Sequence, residues 1–236
     1  MDAGAPRRYT RCAVRGLYAI VDVAICAARG LDPIEVARAI AAAHPAALQL
    51  RAKDVAPREA LALLRSIGPA CRTAGVPLFA NDRADLAALG GCDGVHVGQD
   101  DIAVSLVRRI APGLRVGIST HTLDEVRRAL VDRPDYIAFG PVFATTSKTD
   151  AEPVVGLEQL AAAVRLAEPT PVVAIGGIDP ERAHAVAAVA PAAAMISALL
   201  PADASVADLT VVTERARTLQ LALSGRDAAG RAVLFA

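Results

Sequence analysis

Short, continuously apolar segments recur along the chain and alternate with longer segments in which apolar residues follow a helical spacing. Each apolar segment has four or five residues, the usual length of a strand, and most lack the alternation of a half-exposed strand. This pattern predicts eight strands that are buried on both faces. They cover residues 17–21, 47–50, 77–80, 94–97, 115–118, 136–139, 171–175 and 193–197.

The segments between these strands carry signals that begin and end helices. Asp32 and Pro33 suit the N-cap and the first position of one helix, and Gly75 suits the end of another. Thr122 and Glu125 have the spacing of a capping box. Eight strand–helix units with right-handed crossovers predict an α/β fold, a single (β/α)8 TIM barrel. A doubly wound open sheet is the alternative, although such sheets usually have fewer strands.

Length and composition agree with one barrel domain. The 236 residues suit a barrel over residues 16–223, with an N-terminal extension at 1–15 and a C-terminal tail at 224–236. A hydrophobic content of 54% excludes a disordered chain. Lys plus Arg equals Asp plus Glu, at 25 each, so the net charge gives no reason to expect nucleic acid or a membrane surface as partner.

The positions of the cysteines and the length of the apolar segments indicate the cellular compartment of the protein. The four cysteines are Cys12, Cys26, Cys71 and Cys92. They form no Cys-x-x-Cys pair and lack zinc-ligand spacing to a histidine, which predicts thiols in a reducing, cytoplasmic environment. The longest uncharged segment, residues 185–202, is interrupted by Pro191 and rich in weakly apolar alanine, so we expect a helix and a strand there and no membrane span.

Polar residues follow the second strand, where a TIM barrel places its active site. Gln49, Arg51 and Lys53 alternate along the chain, so their side chains can share one face of an extended segment. Two cations and an amide at a barrel mouth suit an anion such as phosphate. A solvated, charged loop is the alternative explanation.

Carboxylates follow two neighbouring strands. Asn81 and Asp82 come after the third strand, and Gln99, Asp100 and Asp101 come after the fourth. Two carboxylates with neighbouring amides, and no thiolate or imidazole cluster, are hard oxygen donors that suit Mg²⁺. The alternative for Asp82 is a helix N-cap.

Hydroxyl groups follow the fifth strand, and a histidine lies within the fourth. Ser119 and Thr120 are expected to offer hydroxyl donors at the barrel mouth, with helix capping as their alternative role. His96 has two explanations, a hydrogen-bonded core residue or a catalytic group, and the first is commoner for a single barrel histidine.

The last three strand ends predict a second anion site. Residues 145–148 combine three hydroxyls with a cation, and glycines follow the seventh strand at 176–177. Together with Ile196 and Ser197 after the eighth strand, they suit a barrel phosphate site in which backbone N–H groups face the anion. One pocket for a diphosphate and one for a phosphate predict an enzyme that joins two phosphorylated substrates and releases diphosphate.

The chain resembles the thiamine phosphate synthase family in segments that occur in the family's order. They are LYAIVD, LQLRAKD, FANDRADLA, DGVHVGQDD, GISTHT, DYIAFGPVFATTSK, AIGGI and MISAL. Asn-Asp after the third strand combined with Gly-Gln-x-Asp after the fourth is a specific signature. The resemblance implies a (β/α)8 transferase that joins aminomethylpyrimidine diphosphate to thiazole phosphate, with Mg²⁺ required and thiamine phosphate and diphosphate as products.

The resemblance also implies residue roles. The metal ligands would be Asp82 and Asp101. The pyrimidine diphosphate would contact Gln49, Leu50, Arg51, Ala52, Lys53, Asn81, Ser119 and Lys148, and of these Ser119 and Lys148 would form the catalytic group. The thiazole phosphate would contact Thr145, Thr146, Ser147, Gly177, Ile196 and Ser197. The implied mechanism is dissociative: diphosphate leaves, a pyrimidine methylene cation forms, and the thiazole nitrogen attacks it.

The chain departs from the family pattern at three positions. Ala52 stands where the family usually has an acidic residue, and Ala144 stands where the loop usually has proline. Ser147 stands where the loop usually has threonine, and it keeps the hydroxyl. These departures bear on rate and ring positioning more than on reaction type. A thiazole tautomerase and a non-catalytic phosphate-binding barrel are the alternatives, and the partners expected are small phosphorylated molecules with a possible second copy of the chain.

Overall fold

Eight parallel strands pair in chain order and close into a barrel, with β8 paired to β1. The computed structural model describes residues 14–145, 153–201 and 209–224. The strands are β1 Gly16–Asp22, β2 Ala47–Arg51, β3 Leu78–Asn81, β4 Gly94–Val97, β5 Arg115–Thr120, β6 Tyr136–Phe139, β7 Val172–Ile175 and β8 Ala192–Met195. The predicted (β/α)8 barrel is confirmed, and the doubly wound alternative is wrong because a closed barrel has no sheet edge.

Helices occupy the connections between the strands. Within the described ranges they are α1 Val23–Ala28, α2 Pro33–Ala41, α3 Pro57–Ala74, α4 Ala84–Gly90, α5 Val104–Ile110, α6 Leu123–Val131, α7 Gly156–Ala167, α8 Pro180–Ala187 and α9 Leu209–Ser224. The predicted signals act as expected: Asp32 accepts from the N–H of Ile34, and Gly75 ends α3 at a φ of +67°. The short helix α1 was not predicted, and Asp22 is its N-cap.

Two apolar cores result from the alternation of side chains along the strands. Leu17, Ala19 and Val21 of β1 point outward and pack in the core between barrel and helices. Tyr18 and Ile20 point inward to a second core inside the barrel. The inner core lies directly below the carboxyl ends of the strands, so its side chains support whatever lies there.

Three aromatic rings fill the inner core. Tyr18, Phe79 and Tyr136 have ring centroids 5.5–5.8 Å apart. Glycines on β4 and β5 leave room for them: a Cβ at Gly117 would lie 2.0 Å from Cζ of Tyr136, and one at Gly94 would lie 2.3 Å from Cε1 of Phe79. The packing of the three aromatic rings therefore requires glycine at positions 94 and 117.

Three cysteines are buried and free of disulfides: Cys26, Cys71 and Cys92. Burial raises the pKa of the Cys26 thiol to about 11, and that of the Cys71 and Cys92 thiols to about 12. These thiols therefore stay protonated at neutral pH, which agrees with a packing role. Cys12 lies outside the described residues, as do most of the predicted extension and nearly all of the tail. In the described part of the chain, no helix is long and apolar enough to cross a membrane.

Candidate active site at the carboxyl ends of the strands

A polar cavity of about 600 Å³ opens where β1 to β5 end. Its lining includes most of the residues that the sequence singled out on the second to fifth strands: Gln49, Arg51, Lys53, Asn81, Asp82, Gln99, Asp100, Asp101 and Ser119. Further lining residues come from other strand ends and helices: Ile20, Asp22, Ala24, Asp54, His96, Gly98, His121, Glu125, Ile175 and Ile196. The side chains predicted for an anion and for a metal thus share one cavity.

Cations line one side of this cavity. Arg51 is the last residue of β2, and its guanidinium pairs with the carboxylate of Asp22, the last residue of β1. Asp22 is 1% exposed and also accepts a hydrogen bond from the N–H of Ile25 at 3.0 Å. The ammonium of Lys53 is more exposed and lies 3.9 Å from the nearer carboxylate oxygen of Asp82. Sequence reasoning missed Asp22, although a carboxylate directly after the first strand was the available signal.

Two carboxylates, Asp82 and Asp101, lie close together on the adjoining side. Burial first, and then the neighbouring Asp101, raise the pKa of Asp82 to about 6, while Lys53 and Arg51 act in the opposite direction. Asp101 also accepts from the N–H of Gly98 at 2.7 Å, which fixes one of its oxygens. Burial and the neighbouring carboxylate therefore outweigh the nearby cations in their effect on the pKa of Asp82.

Asp82 sits in an uncommon backbone conformation. Its φ is +60°, and the N–H of Arg83 donates to the carbonyl of Asn81 across it, which makes a tight three-residue turn. Helix α4 begins at Ala84 with Arg83 at the N-cap and no side-chain cap. The helix-cap alternative for Asp82 is therefore wrong, because its carboxylate lies in the cavity. Arg83 pairs with Asp85 on the exposed surface.

The carboxylate pair fits a hard divalent cation only in part. No group of three or more His, Cys, Asp or Glu side chains with metal-site geometry occurs among residues 14–145, 153–201 and 209–224. Two carboxylates are nevertheless the usual protein share for Mg²⁺, which completes its shell with water and substrate phosphate. The neighbouring carboxylate oxygens of Asp82 and Asp101 therefore suit that ion better than zinc, which needs a larger set of nitrogen and sulfur ligands.

Neutral polar side chains form the floor of the cavity. The amide of Gln49 donates to Oδ1 of Asn81 at 2.9 Å, and Nε2 of His96 lies 2.9 Å from Oγ of Ser119. The expectation that Thr120 also reaches the mouth is wrong. Because β5 runs on to residue 120, Thr120 faces away from Ser119, is fully buried, and donates to the carbonyl of Ala138.

A second cavity of about 560 Å³ adjoins the first at the ends of β7 and β8. Thr145, Gly177 and Ser197 line it, whereas Ile196, the residue before Ser197, lines the first cavity. Gly177 has a φ of +62°, and a Cβ there would lie 2.3 Å from the carbonyl oxygen of Ala144. Only glycine lets these two loops approach so closely.

Three arginines line the second cavity and were not predicted: Arg29, Arg182 and Arg215. Arg182 donates to the carbonyl of Gly177 at 2.7 Å and lies over the ring of Phe143 at 4.9 Å. Arg29 donates to the carbonyls of Ser197, Leu200 and Pro201 at 2.9–3.2 Å. Arg182 and Arg215 lie on helices and Arg29 is the C-cap of α1, so none of the three follows a strand end, where the sequence predicts the site.

The remaining predicted residues fall elsewhere. Leu50 is buried in the core between barrel and helices, and Ala52 packs against the same core, so these two can reach the cavity only through their backbone. Thr146, Ser147 and Lys148 lie outside the described residues.

Comparison with known proteins decides the family. Residues 17–199 match a family model described as thiamine monophosphate synthase. The chain belongs to the thiamine monophosphate synthase family. The family predicted from the sequence is therefore confirmed.

Curated relatives and a solved structure agree with this synthase family. The chain is 44% identical over 194 residues to the thiamine-phosphate synthase of Anaeromyxobacter dehalogenans, covering 81% of this chain and 83% of the relative. It is 38% identical over 204 residues to the thiamine-phosphate synthase of Chloroflexus aurantiacus, covering 86% and 91%. Thiamine phosphate pyrophosphorylase from Pyrococcus furiosus has a TM-score of 0.76 and 28% identity, covering 90% of this chain and 96% of that one. The enzyme class that the resemblance implied agrees with these names, and the tautomerase alternative is not favoured.

Proposed function

We propose that this chain joins aminomethylpyrimidine diphosphate to thiazole phosphate, or to its carboxylated form, and releases diphosphate. The observation that carries the proposal is the adjoining pair of cavities. The first combines Arg51 and Lys53 with the carboxylates of Asp82 and Asp101, and the second combines Gly177 with Ser197. A diphosphate needs cations and a metal, whereas a single phosphate is held well by backbone N–H groups.

Arg51 and Lys53 are suited to hold the diphosphate. The guanidinium of Arg51 is fixed by its contact with Asp22, so its remaining N–H groups keep one orientation toward the cavity. Lys53 is flexible and follows the anion as a point charge. Lys148 is assigned to the same anion from the sequence alone.

Asp82 and Asp101 would hold Mg²⁺. Bound there, the ion would neutralise the charge that develops on the diphosphate as it leaves. The two side chains supply ligands from adjacent strands, and water and the diphosphate would complete the shell. Support comes from the raised pKa of Asp82, caused first by burial and then by Asp101, because a cation would relieve this repulsion.

The thiazole phosphate is assigned to the second cavity. The backbone at Gly177, Ile196 and Ser197 and the hydroxyl of Thr145 would bind it, with Thr146 and Ser147 assigned from the sequence. Ile196 lines the first cavity, and the next residue, Ser197, lines the second. The thiazole ring can therefore lie near the pyrimidine methylene group while its phosphate stays anchored.

The reaction needs orientation and charge stabilisation, and no protein nucleophile. The carbon–oxygen bond breaks with its electron pair going to diphosphate, and the thiazole nitrogen lone pair then forms the new carbon–nitrogen bond. Asn81, Ser119 and Gln49 position the pyrimidine ring, while the cations hold the leaving group. The described cysteines are buried in the outer core and have raised thiol pKa values, which agrees with their having no part in the chemistry.

An assay with both phosphorylated substrates, with and without Mg²⁺, tests the proposal. We expect metal-dependent formation of thiamine phosphate and diphosphate in equal amounts. Conversion of the thiazole substrate alone would instead indicate a tautomerase, and binding of both substrates without turnover would indicate a non-catalytic barrel. A cytoplasmic location stays a prediction from the sequence, as does the possible homo-oligomer.

A further inference from the structure

A chain of hydrogen bonds crosses the inside of the barrel and joins two walls of the first cavity. It runs through six side chains, in the order Asn81, Gln49, Tyr18, Tyr136, His96 and Ser119. The two ends, Asn81 and Ser119, line the cavity, while the tyrosines in the middle are buried in the aromatic layer. We call this chain the polar relay.

Every link of the polar relay has ordinary hydrogen-bond geometry. Tyr18 Oη lies 3.0 Å from Oε1 of Gln49 and 2.7 Å from Oη of Tyr136. Tyr136 Oη lies 2.9 Å from Nδ1 of His96, whose Nε2 reaches Ser119 at 2.9 Å. The partners come from β1 to β6, so the relay couples strands that are far apart in the chain.

The proton order follows from counting donors. Tyr18 donates its one O–H to Oε1 of Gln49, so in its contact with Tyr136 it can only accept. Tyr136 therefore donates to Tyr18 and can only accept from His96, which puts a proton on Nδ1 of His96. In the neutral ring Nε2 is then an acceptor, and Ser119 donates its O–H to it.

The ends of the relay consequently offer opposite groups to the cavity. Ser119 donates its O–H to His96, so toward the cavity it offers only an oxygen lone pair. Oδ1 of Asn81 accepts from Gln49, so Asn81 offers its NH₂ group as a donor. One wall thus suits a hydrogen-bond donor such as a ring amino group, and the other suits an acceptor.

Packing holds the middle of the relay in place. The rings of Tyr136 and His96 are stacked, with centroids 5.5 Å apart and an angle of 20°. Phe79 meets Tyr136 edge-on, and Gly117 provides the space beneath it. Burial raises the pKa of both tyrosines above their ordinary value, so the hydroxyls keep their protons at any working pH.

We propose that Tyr18, Tyr136 and His96 are positioning residues that make the first cavity select an amino-substituted pyrimidine over its oxo counterpart. The proposal rests on the proposed function, since the pyrimidine is that of the substrate. An oxo group would place an acceptor against the lone pair of Ser119, whereas an amino group donates to it. A site that hydrogen-bonds one polar substituent of its ligand discriminates strongly against an analogue that leaves the same buried groups unpaired.

Nitrogen NMR of the ring nitrogens of His96, in protein labelled with ¹⁵N-histidine, tests the proton order directly. We expect the Nδ1–H form in the wild-type protein and the appearance of the Nε2–H form in Tyr136→Phe, because that variant removes the acceptor of Nδ1. Thr120→Val is the matched control. It also deletes a buried hydroxyl, but this one is on β5 and lies outside the relay. A wild-type His96 protonated on Nε2, or a tautomer that Tyr136→Phe leaves unchanged, would overturn the proposal.

Kinetics with the amino substrate and its 4-oxo analogue test the selectivity. We expect Tyr136→Phe to lower kcat/KM for the amino substrate by about tenfold or more and to reduce its preference over the analogue. Thr120→Val should change neither kcat/KM for the amino substrate nor its preference over the analogue. Tyr18→Phe is the second variant if Tyr136→Phe does not fold. Equal selectivity in the relay variants and in Thr120→Val contradicts the proposal. A wild-type protein that forms no thiamine phosphate contradicts the proposed function instead, and the NMR result still decides the proton order.

Discussion

Arg51 and Asp22 face each other on neighbouring strands, and the guanidinium of Arg51 donates to Oδ2 of Asp22 at the edge of the first cavity. The other carboxylate oxygen of Asp22 accepts from the N–H of Ile25 and begins α1. One buried carboxylate therefore fixes both the cation assigned to diphosphate and the first helix. Its position links the stability of the barrel to the geometry of the cavity.

Removing Asp22 should be costly for stability. We expect Asp22→Ala to lower the free energy of unfolding by about 3 kcal/mol, because Arg51 loses its partner and α1 loses its cap. Asp22→Asn keeps the cap and should cost less. Urea denaturation followed by circular dichroism measures both variants.

Asp32→Ala is the control for this prediction. Asp32 caps α2 in the same way, but it lies near the surface and is paired with no cation in the described part of the chain. We expect a loss of only about 1 kcal/mol. Equal losses for the two alanine variants would mean that the contact between Asp22 and Arg51 contributes little.

Asp82 should destabilise the metal-free protein at neutral pH. Its pKa is raised above the ordinary 3.8 to about 6, so ionisation is less favourable in the folded state, and stability is lost as the pH rises through this range. We expect Asp82→Asn to raise the free energy of unfolding by about 1 kcal/mol at pH 7.5, a figure reduced for partial solvent exposure. The gain should vanish below pH of about 4, and Mg²⁺ should stabilise only the wild-type protein.

Asp85→Asn is the matched control, three residues further along. The guanidinium of Arg83 lowers the pKa of Asp85, so its ionised form stabilises the fold and that stability is lost as the pH falls. Asp85→Asn should therefore slightly lower the free energy of unfolding at pH 7.5, whereas Asp82→Asn should raise it. Thermal unfolding from pH 4 to 8 compares the two variants, and the same sign of change in both would contradict this electrostatic explanation.

Arg182 should affect one substrate and spare the other. It holds the carbonyl of Gly177 and stacks over Phe143, so Arg182→Ala should loosen the loop that lines the second cavity. We expect KM for the thiazole phosphate to rise by about tenfold, as for other residues that orient binding groups, with KM for the pyrimidine diphosphate unchanged. Steady-state kinetics with each substrate varied in turn measures this.

Arg217→Ala provides the comparison for Arg182. Arg217 pairs with Glu214 on the exposed surface of α9 and lines neither cavity. Its loss should leave both KM values unchanged. A matching rise in both KM values for Arg182→Ala would show that the arginine supports the barrel as a whole.

The sequence was sufficient for the barrel because the fold depends on local signals repeated eight times. Strand ends then located Asp82 and Asp101, since carboxyl ends of parallel strands meet at one face. Even Asp82 needed the barrel context, because locally it had the position of a helix cap. The predicted position of Thr120 at the barrel mouth was wrong because β5 continues two residues beyond the apolar segment at 115–118.

Long-range partners could not be predicted from the sequence. Tyr18 and Tyr136 are 118 residues apart, and their contact depends on the register of strands around the closed barrel. The pairing of Asp22 with Arg51 likewise requires that β1 and β2 be adjacent and in register. Periodicity gives the face of a strand on which a side chain lies, but not its partner across the barrel.

The central claim is that Asp82 and Asp101 hold the Mg²⁺ with which the two phosphorylated substrates are joined. The most direct test is the initial rate of thiamine phosphate formation as a function of Mg²⁺ concentration, for the wild-type protein, Asp82→Asn, Asp101→Asn and the control Asp85→Asn. We expect saturating Mg²⁺ dependence for the wild-type protein and Asp85→Asn, and rates lower by about 100-fold or more for the other two variants. Wild-type rates in Asp82→Asn and Asp101→Asn, or full activity of the wild-type protein in excess chelator, would contradict the claim.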